Sequence, residues 1–193
     1  ICGIRRPCDI NYINELLPEY VGFVFAKSKR QVNMRYAYNL IENLRKGIQK
    51  VGVFVNENPS VVIEIAENLQ LEVLQFHGHE TQEYIDQFKG YKIWKALKIN
   101  DIESISQIRH YKCTKFLLDN STSGSGESFD WNLAEKKVDG NTIMLAGGLT
   151  SENVKQGIIR LKPYGVDVSS GVETDGFKDY AKIKEFIKKV RNL

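Results

Sequence analysis

The stretches Ile143-Met-Leu-Ala-Gly-Gly-Leu149 and Val166-Asp-Val-Ser-Ser-Gly-Val-Glu173 decide how this chain is read. Each is a short strand-like run that breaks into a turn of glycine or serine. A chain passing from strand to helix leaves backbone N–H groups pointing outward, and the dipole of the following helix favours an anion there. Two such turns in succession, at the end of a chain that alternates strand and helix, are the arrangement of a barrel's phosphate site. A small phosphorylated metabolite is the ligand this pattern implies.

Working outward, hydrophobic period and turn punctuation divide the sequence into eight β-rich runs, each followed by an amphipathic helical run. Strands are expected at 1–4, 21–25, 51–55, 71–76, 91–97, 115–119, 142–146 and 165–169. Helices are expected at 11–17, 33–46, 59–68, 81–88, 102–111, 131–137, 151–161 and 180–190. Asn58 ahead of Pro59 reads as a helix cap, and Thr150-Ser-Glu-Asn153 has capping-box spacing. Most strands are continuously apolar, as in a parallel sheet covered on both faces. Eight units predict an α/β fold, a single-domain (β/α)8 TIM barrel spanning residues 1–193. A doubly wound open sheet would need only about five or six strands and would place its glycine-rich loop after the first. Here the glycines follow the seventh and eighth. The polar, Ser- and Gly-rich segment 120–128 is expected to be a substrate lid.

Composition narrows the function. The 193 residues, 42% of them hydrophobic, suffice for one real core. A net charge of +3, from 27 basic and 24 acidic residues, is spread without a basic block, so no nucleic-acid partner is expected. Lysines cluster only in the last helix, as the solvated face over a buried Ile183, Phe186, Ile187 and Val190 stripe. Three cysteines without paired spacing fit a reducing compartment, and a cytoplasmic protein is expected. No basic-then-apolar pattern stands at the start of the sequence, so no leader is expected, and no apolar run approaches the ~20 residues of a membrane helix. The opening Ile1 is already strand-like, so a start methionine and a residue or two of strand are expected to be missing.

In barrel enzymes the reacting side chains stand at the C-terminal ends of strands. That rule selects Cys2, Arg30, His77, Asp119, Asp167 and the glycine and serine turns. Cys2, beside Gly3, could take a proton from carbon as a thiolate; the plain alternative is a small residue filling the core. Cys8 and Cys113 have no such placement, and a Cys2/Cys8 metal pair lacks ligand spacing. Asp119 ends the apolar Phe116-Leu-Leu run, a costly place for a carboxylate unless it is solvated or paired. It suits a general acid, with a helix cap or a lysine partner such as Lys95 or Lys98 as the alternative. Arg30 carries a guanidinium that matches a carboxylate bidentately, although a lone loop arginine is usually just solvated. His77 could donate to a substrate oxygen or simply be satisfied at a strand end. Asp130 and Trp131 read as a helix entry with a packed aromatic.

Taken together, the motifs closely resemble the phosphoribosylanthranilate isomerase family. They are Ile-Cys-Gly-Ile at 1–4, Val-Gly-Phe-Val-Phe at 21–25 with Lys-Ser-Lys-Arg at 27–30, and Val-Gly-Val-Phe-Val-Asn at 51–56. Leu-Gln-Phe-His-Gly at 74–78, Leu-Leu-Asp at 117–119, Gly-Ser-Gly-Glu-Ser-Phe-Asp-Trp at 124–131 and the two opening stretches complete the set. The resemblance runs nearly the whole length in the family's order. It implies an Amadori rearrangement, N-(5-phosphoribosyl)anthranilate to 1-(2-carboxyphenylamino)-1-deoxyribulose 5-phosphate, in tryptophan biosynthesis. It also implies Cys2 as general base, Asp119 as general acid and Arg30 on the anthranilate carboxylate. Gly147, Gly148, Ser169, Ser170 and Gly171 fall at the phosphate, with His77 and Asp167 near the substrate. No metal or organic cofactor is implied, because the substrate's own nitrogen supplies the imine electron sink; the partners are the small-molecule substrate alone, with no membrane, in a monomer or homodimer. Arg5-Arg6-Pro7 stands where the family more usually has Thr, Phe76 where Leu is commoner, and Ser123-Gly-Ser-Gly126 where Gly-Gly-Thr-Gly is frequent.

Two other readings compete. A related sugar isomerase of histidine biosynthesis would have Asp in place of Cys2, and indoleglycerol phosphate synthase a lysine-centred acid/base set. A barrel kept only for binding would lack the acid or the base.

Overall fold

The computed structural model describes residues 1–120, 128–135 and 137–193. The expected lid at 120–128 therefore lies, except for its end residues, outside the described residues. Two compact units divide the chain, Ile1–Trp94 and Lys95–Leu193.

In the first unit α1 (Pro7–Leu16) starts earlier than its apolar period suggests. Pro7 takes a first-turn position, and the buried Asp9 carboxylate accepts from the backbone N–H of Arg5 and Arg6 at 3.1 and 2.9 Å. Those bonds satisfy donors that a helix start leaves open. There follow β1 (Tyr20–Val24), α2 (Met34–Ile41), β2 (Gln49–Phe54), α3 (Pro59–Leu69), β3 (Val73–Phe76), the single turn α4 (Gln82–Ile85) and the start of β4 (Lys92–Ile99). Asn58 caps α3 as expected, accepting from Ser60 N at 3.0 Å. Strands β1, β2 and β3 pair in parallel, with Gly22 beside Val51 and Phe54 beside Phe76. Phe54 stacks on Phe25 at 5.2 Å, and Phe76 meets Phe88 at 5.0 Å, closing an aromatic core of buried rings.

The expected first strand shrinks to a single parallel bridge between Cys2 and Gly22. Gly3 turns to φ +82°, which breaks the extended run, and the Gly22 carbonyl accepts from both Gly3 and Ile4 N–H at 2.9 and 3.1 Å. Hydrogen bonds persist along 1–4, but regular pleating does not.

The second unit completes β4 and continues through α5 (Ile102–Ser106), which tightens into a 3-10 turn over Gln107–His110. Beyond it come β5 (Lys115–Asn120), β6 (Ile143–Leu145), α6 (Val154–Leu161) and β7 (Gly165–Val166). A hairpin of β8 (Glu173–Thr174) and β9 (Phe177–Lys178) precedes α7 (Tyr180–Arg191). β5, β6 and β7 pair in parallel. The seven parallel-type strands are ordered as in the chain, β1 to β7. Two expectations change here. The helix at 131–137 is only a 3-10 turn, Trp131–Leu133, with Trp131 buried against Gly157 of α6. Only one contact of the expected capping box at 150–153 is seen, Thr150 N–H donating to Asn153 Oδ1 at 2.8 Å; Thr150 Oγ1 accepts from Glu152 N at 3.2 Å, and α6 begins only at Val154, after Asn153. In α7, Ile183 and Phe186 are buried under the lysine-rich face. Among the described residues no helix is long and apolar enough to cross a membrane.

Candidate active site

Every predicted site residue falls at or just beyond a strand end, apart from Cys2 on its bridge. Within the first unit, Cys2 is half-buried, and its thiol lies so near β1 that a Cβ on Gly22 would sit 2.8 Å from Sγ. Glycine at 22 is therefore what admits the thiol at that level. Arg30 lies in the turn after β1, its N–H donating to Ser28 Oγ at 3.1 Å. The bridge between Val24 and Gln31 returns the chain to the sheet directly after it. His77 follows β3; its N–H donates to the Phe54 carbonyl at 2.9 Å, and Gln75 Nε2 stands 3.4 Å from its Nδ1. The turn beyond His77 is pinned by buried Glu80, which accepts from Asn56 N at 2.8 Å and Gly78 N at 2.9 Å. Arg30 and His77 thus both follow the C-terminal ends of strands in one parallel set, β1 and β3.

Within the second unit, Asp119 is half-buried near the end of β5, its Oδ1 accepting from Asn120 N at 2.7 Å. Gly147 and Gly148 follow β6 with φ of +71° and +62°, a conformation that side chains with a Cβ resist. A Cβ on Gly147 would stand 2.6 Å from Asp119 Oδ1, so the acid candidate and the first turn are packed face to face. Asn153 holds that turn, donating to the Gly148 carbonyl at 2.9 Å and accepting from Thr150 N at 2.8 Å. Asp167 follows β7, its N–H bonded to Leu145 O at 2.8 Å. A Cβ on Gly171 would strike the Leu149 carbonyl, so the second turn is pressed against the first. Both turns line one cavity of about 380 Å³, shared with Thr150, Glu152, Glu173 and Lys182.

The structure thus brings Asp119, Gly147, Gly148, Ser170 and Gly171 together in the second unit, and places Cys2, Arg30 and His77 in the first. One functional feature escapes the strand-end rule. The hairpin 173–178 carries buried Lys178 back to Ser169, with Nζ 2.8 Å from the Ser169 carbonyl. Asp175-Gly176, with φ of +52° and +77°, is the sequence signal that would have announced it.

A family model for N-(5'-phosphoribosyl)anthranilate isomerase matches residues 1–189. The chain belongs to that family. N-(5'-phosphoribosyl)anthranilate isomerase from Thermoanaerobacter pseudethanolicus is 50% identical over 100% of this chain and 97% of its own length. Among solved structures, monomers of the dimeric phosphoribosylanthranilate isomerase from Thermotoga maritima match at TM-score 0.87 and 36% identity, over 100% of this chain and 97% of that one. Another, a phosphoribosylanthranilate isomerase in complex with reduced 1-(o-carboxyphenylamino)-1-deoxyribulose 5-phosphate, matches at TM-score 0.86 and 34% identity, covering 100% of this chain and 97% of that chain. The fold class is accordingly α/β, of the TIM-barrel type, and the chain is a phosphoribosylanthranilate isomerase acting in tryptophan biosynthesis.

Proposed function

We propose that this chain, acting as one domain, carries out the family's isomerisation with Cys2 as general base and Asp119 as general acid. The substrate is an N-glycoside of a furanose. Asp119 delivers a proton to the ring oxygen, the C1′–O bond breaks, and the glycosidic nitrogen's lone pair forms the imine. The Cys2 thiolate then takes the proton on C2′, and the electrons of that C–H bond move through the imine to nitrogen, giving an enolamine. Tautomerisation of the enol to the ketone completes the aminoketose, so the reaction needs no net oxidant or reductant.

Arg30 offers a planar fork for the anthranilate carboxylate, and the 147–148 and 169–171 turns offer amides to the phosphate at the other end. Holding both ends positions the sugar for proton transfer, which lowers the barrier. His77 and Asp167 match family positions near the substrate. A single observation supports this reading most directly: the Asp119 carboxylate packs against Gly147, so acid and phosphate turn share one small volume. The enzyme is proposed to work in the cytoplasm, as a monomer or homodimer, with no nucleic-acid partner.

The test follows the fluorescence of freshly generated phosphoribosylanthranilate. Enzyme-dependent decay is expected, with Cys2→Ala and Asp119→Asn each slower by at least ~10²-fold, as for loss of a general base or acid. Near-normal turnover in either variant would remove that residue from its role. The binding-only reading is favoured only if the unsubstituted protein fails to outpace spontaneous hydrolysis.

A further inference from the structure

Lys178 lies at the end of β9 and is 4% exposed, a costly place for an ammonium unless it is paired and hydrogen-bonded. Its Nζ donates to the Ser169 carbonyl at 2.8 Å, to Ser169 Oγ at 3.3 Å and to Glu173 Oε1 at 2.8 Å. Glu173 is the directly opposite residue of the hairpin, so the ion pair is a cross-strand pair held by the turn at Asp175 and Gly176. Both side chains are almost fully enclosed, at 1% and 6% exposure. The hairpin thus delivers a fixed cation to one residue of the second turn.

In a trans peptide the carbonyl and the following N–H point in opposite directions. Drawing the Ser169 carbonyl toward Lys178 therefore turns the Ser170 N–H to the other side of the peptide. A hydrogen bond from an ammonium also draws electron density from the peptide, which makes the following N–H a stronger donor. Ser170 and Gly171 line the cavity that Gly148 shares. We infer that Lys178 is a positioning residue for the phosphate turn, fixing and polarising the Ser169–Ser170 peptide so that its N–H meets the substrate phosphate. It touches no substrate atom in this role, and Glu173 serves to keep the buried lysine charged. The inference rests on the phosphate reading of the 169–171 turn proposed above.

The experiment uses the whole chain and inorganic phosphate as probe, reading the rise in Tm with phosphate concentration, and KM and kcat alongside. Lys178→Met alone strands the Glu173 charge in the interior and threatens the fold, so the double variant Lys178→Met/Glu173→Gln, which removes both charges, is the decisive protein. It is expected to melt cooperatively but to need about tenfold more phosphate for the same rise, the scale of one lost charge-assisted bond. Its KM should rise by a similar factor while kcat falls less than about threefold, because binding is lost and the acid and base stay in place. A purely structural lysine would lower the active fraction and leave KM alone. A phosphate response and KM equal to those of the unsubstituted protein would overturn the inference. A second reading needs no variant: the Ser170 amide proton of the unsubstituted protein should move downfield as phosphate is added, and a Ser170 signal that stays still while the protein is stabilised would also overturn it. Failure of the unsubstituted protein to respond to phosphate at all would instead overturn the phosphate reading beneath it.

Discussion

Gly147 and Asp119 lie so close that neither tolerates an extra atom between them: a Cβ at 147 would be 2.6 Å from Asp119 Oδ1 and 2.5 Å from Asn120 N. Gly147 also has φ +71°, which disfavours any other residue. Gly147→Ala is expected to destabilise the protein by at least about 1–2 kcal/mol through the left-handed backbone alone. Turnover should fall at least about tenfold as well, because displacing an acid by roughly 1 Å is costly. Thermal melts and steady-state kinetics check the pair, and an unchanged kcat would show that Asp119 keeps its place without help from the glycine.

Gly22 plays the corresponding part for Cys2, with an added Cβ falling 2.8 Å from Sγ and 3.1 Å from the Cys2 Cα. No left-handed backbone is involved, so the effect of Gly22→Ala is steric. Overpacking should cost about 1–3 kcal/mol. Moving the thiol should lower kcat with little change in KM, which single-turnover kinetics would separate from simple loss of folded enzyme. Equal kcat in the folded variant would argue against Cys2 as base.

Arg30 is proposed to bind one end of the substrate and to take no part in proton transfer. Arg30→Ala should therefore raise KM by about tenfold or more while kcat falls less. Arg30→Lys should recover only part of that loss, because an ammonium cannot match a carboxylate bidentately. Full recovery with lysine would point to a solvated charge.

Asp179 caps α7, accepting from Lys182 N at 3.1 Å and Thr174 Oγ1 at 2.8 Å. The backbone N–H of Lys182, and then the Thr174 hydroxyl, hold its carboxyl below the ordinary value. A carboxyl depressed by folding stabilises the protein above its unfolded pKa, and that contribution is lost as pH falls through the lower folded value. Asp179→Ala should thus cost about 1 kcal/mol near neutrality, as for other N-caps. The difference between the two proteins should shrink in acid. Urea melts from pH 7 down into the acid range test it, and a pH-independent difference would assign the loss to packing.

Much of this protein is legible without coordinates, because the relevant forces are local. Continuous apolar runs such as 51–55 read as buried strands, Asn58-Pro59 reads as the opening of a helix, and paired glycines at 147–148 permit the left-handed backbone found there. Of the eight strands expected from the alternation of such runs, seven form, in chain order. Where local reading misled, a neighbour's geometry won. Gly3 broke the first strand into a bridge, α6 began only after Asn153, and Trp131 turned only once before packing on Gly157.

The sequence by itself determined the alternation of elements, the strand ends at which chemistry could occur, and the residue types able to carry it. Only tertiary structure decided that Gly22 makes room for Cys2, that Gly147 abuts Asp119, and that Lys178 reaches back to Ser169. These relations join residues on different strands and turns, so they depend on strand register and on the close approach of backbones. Periodicity and spacing report which face a residue occupies along its own segment, whereas the distance across to another segment is set by how the side chains of both fill the space between them.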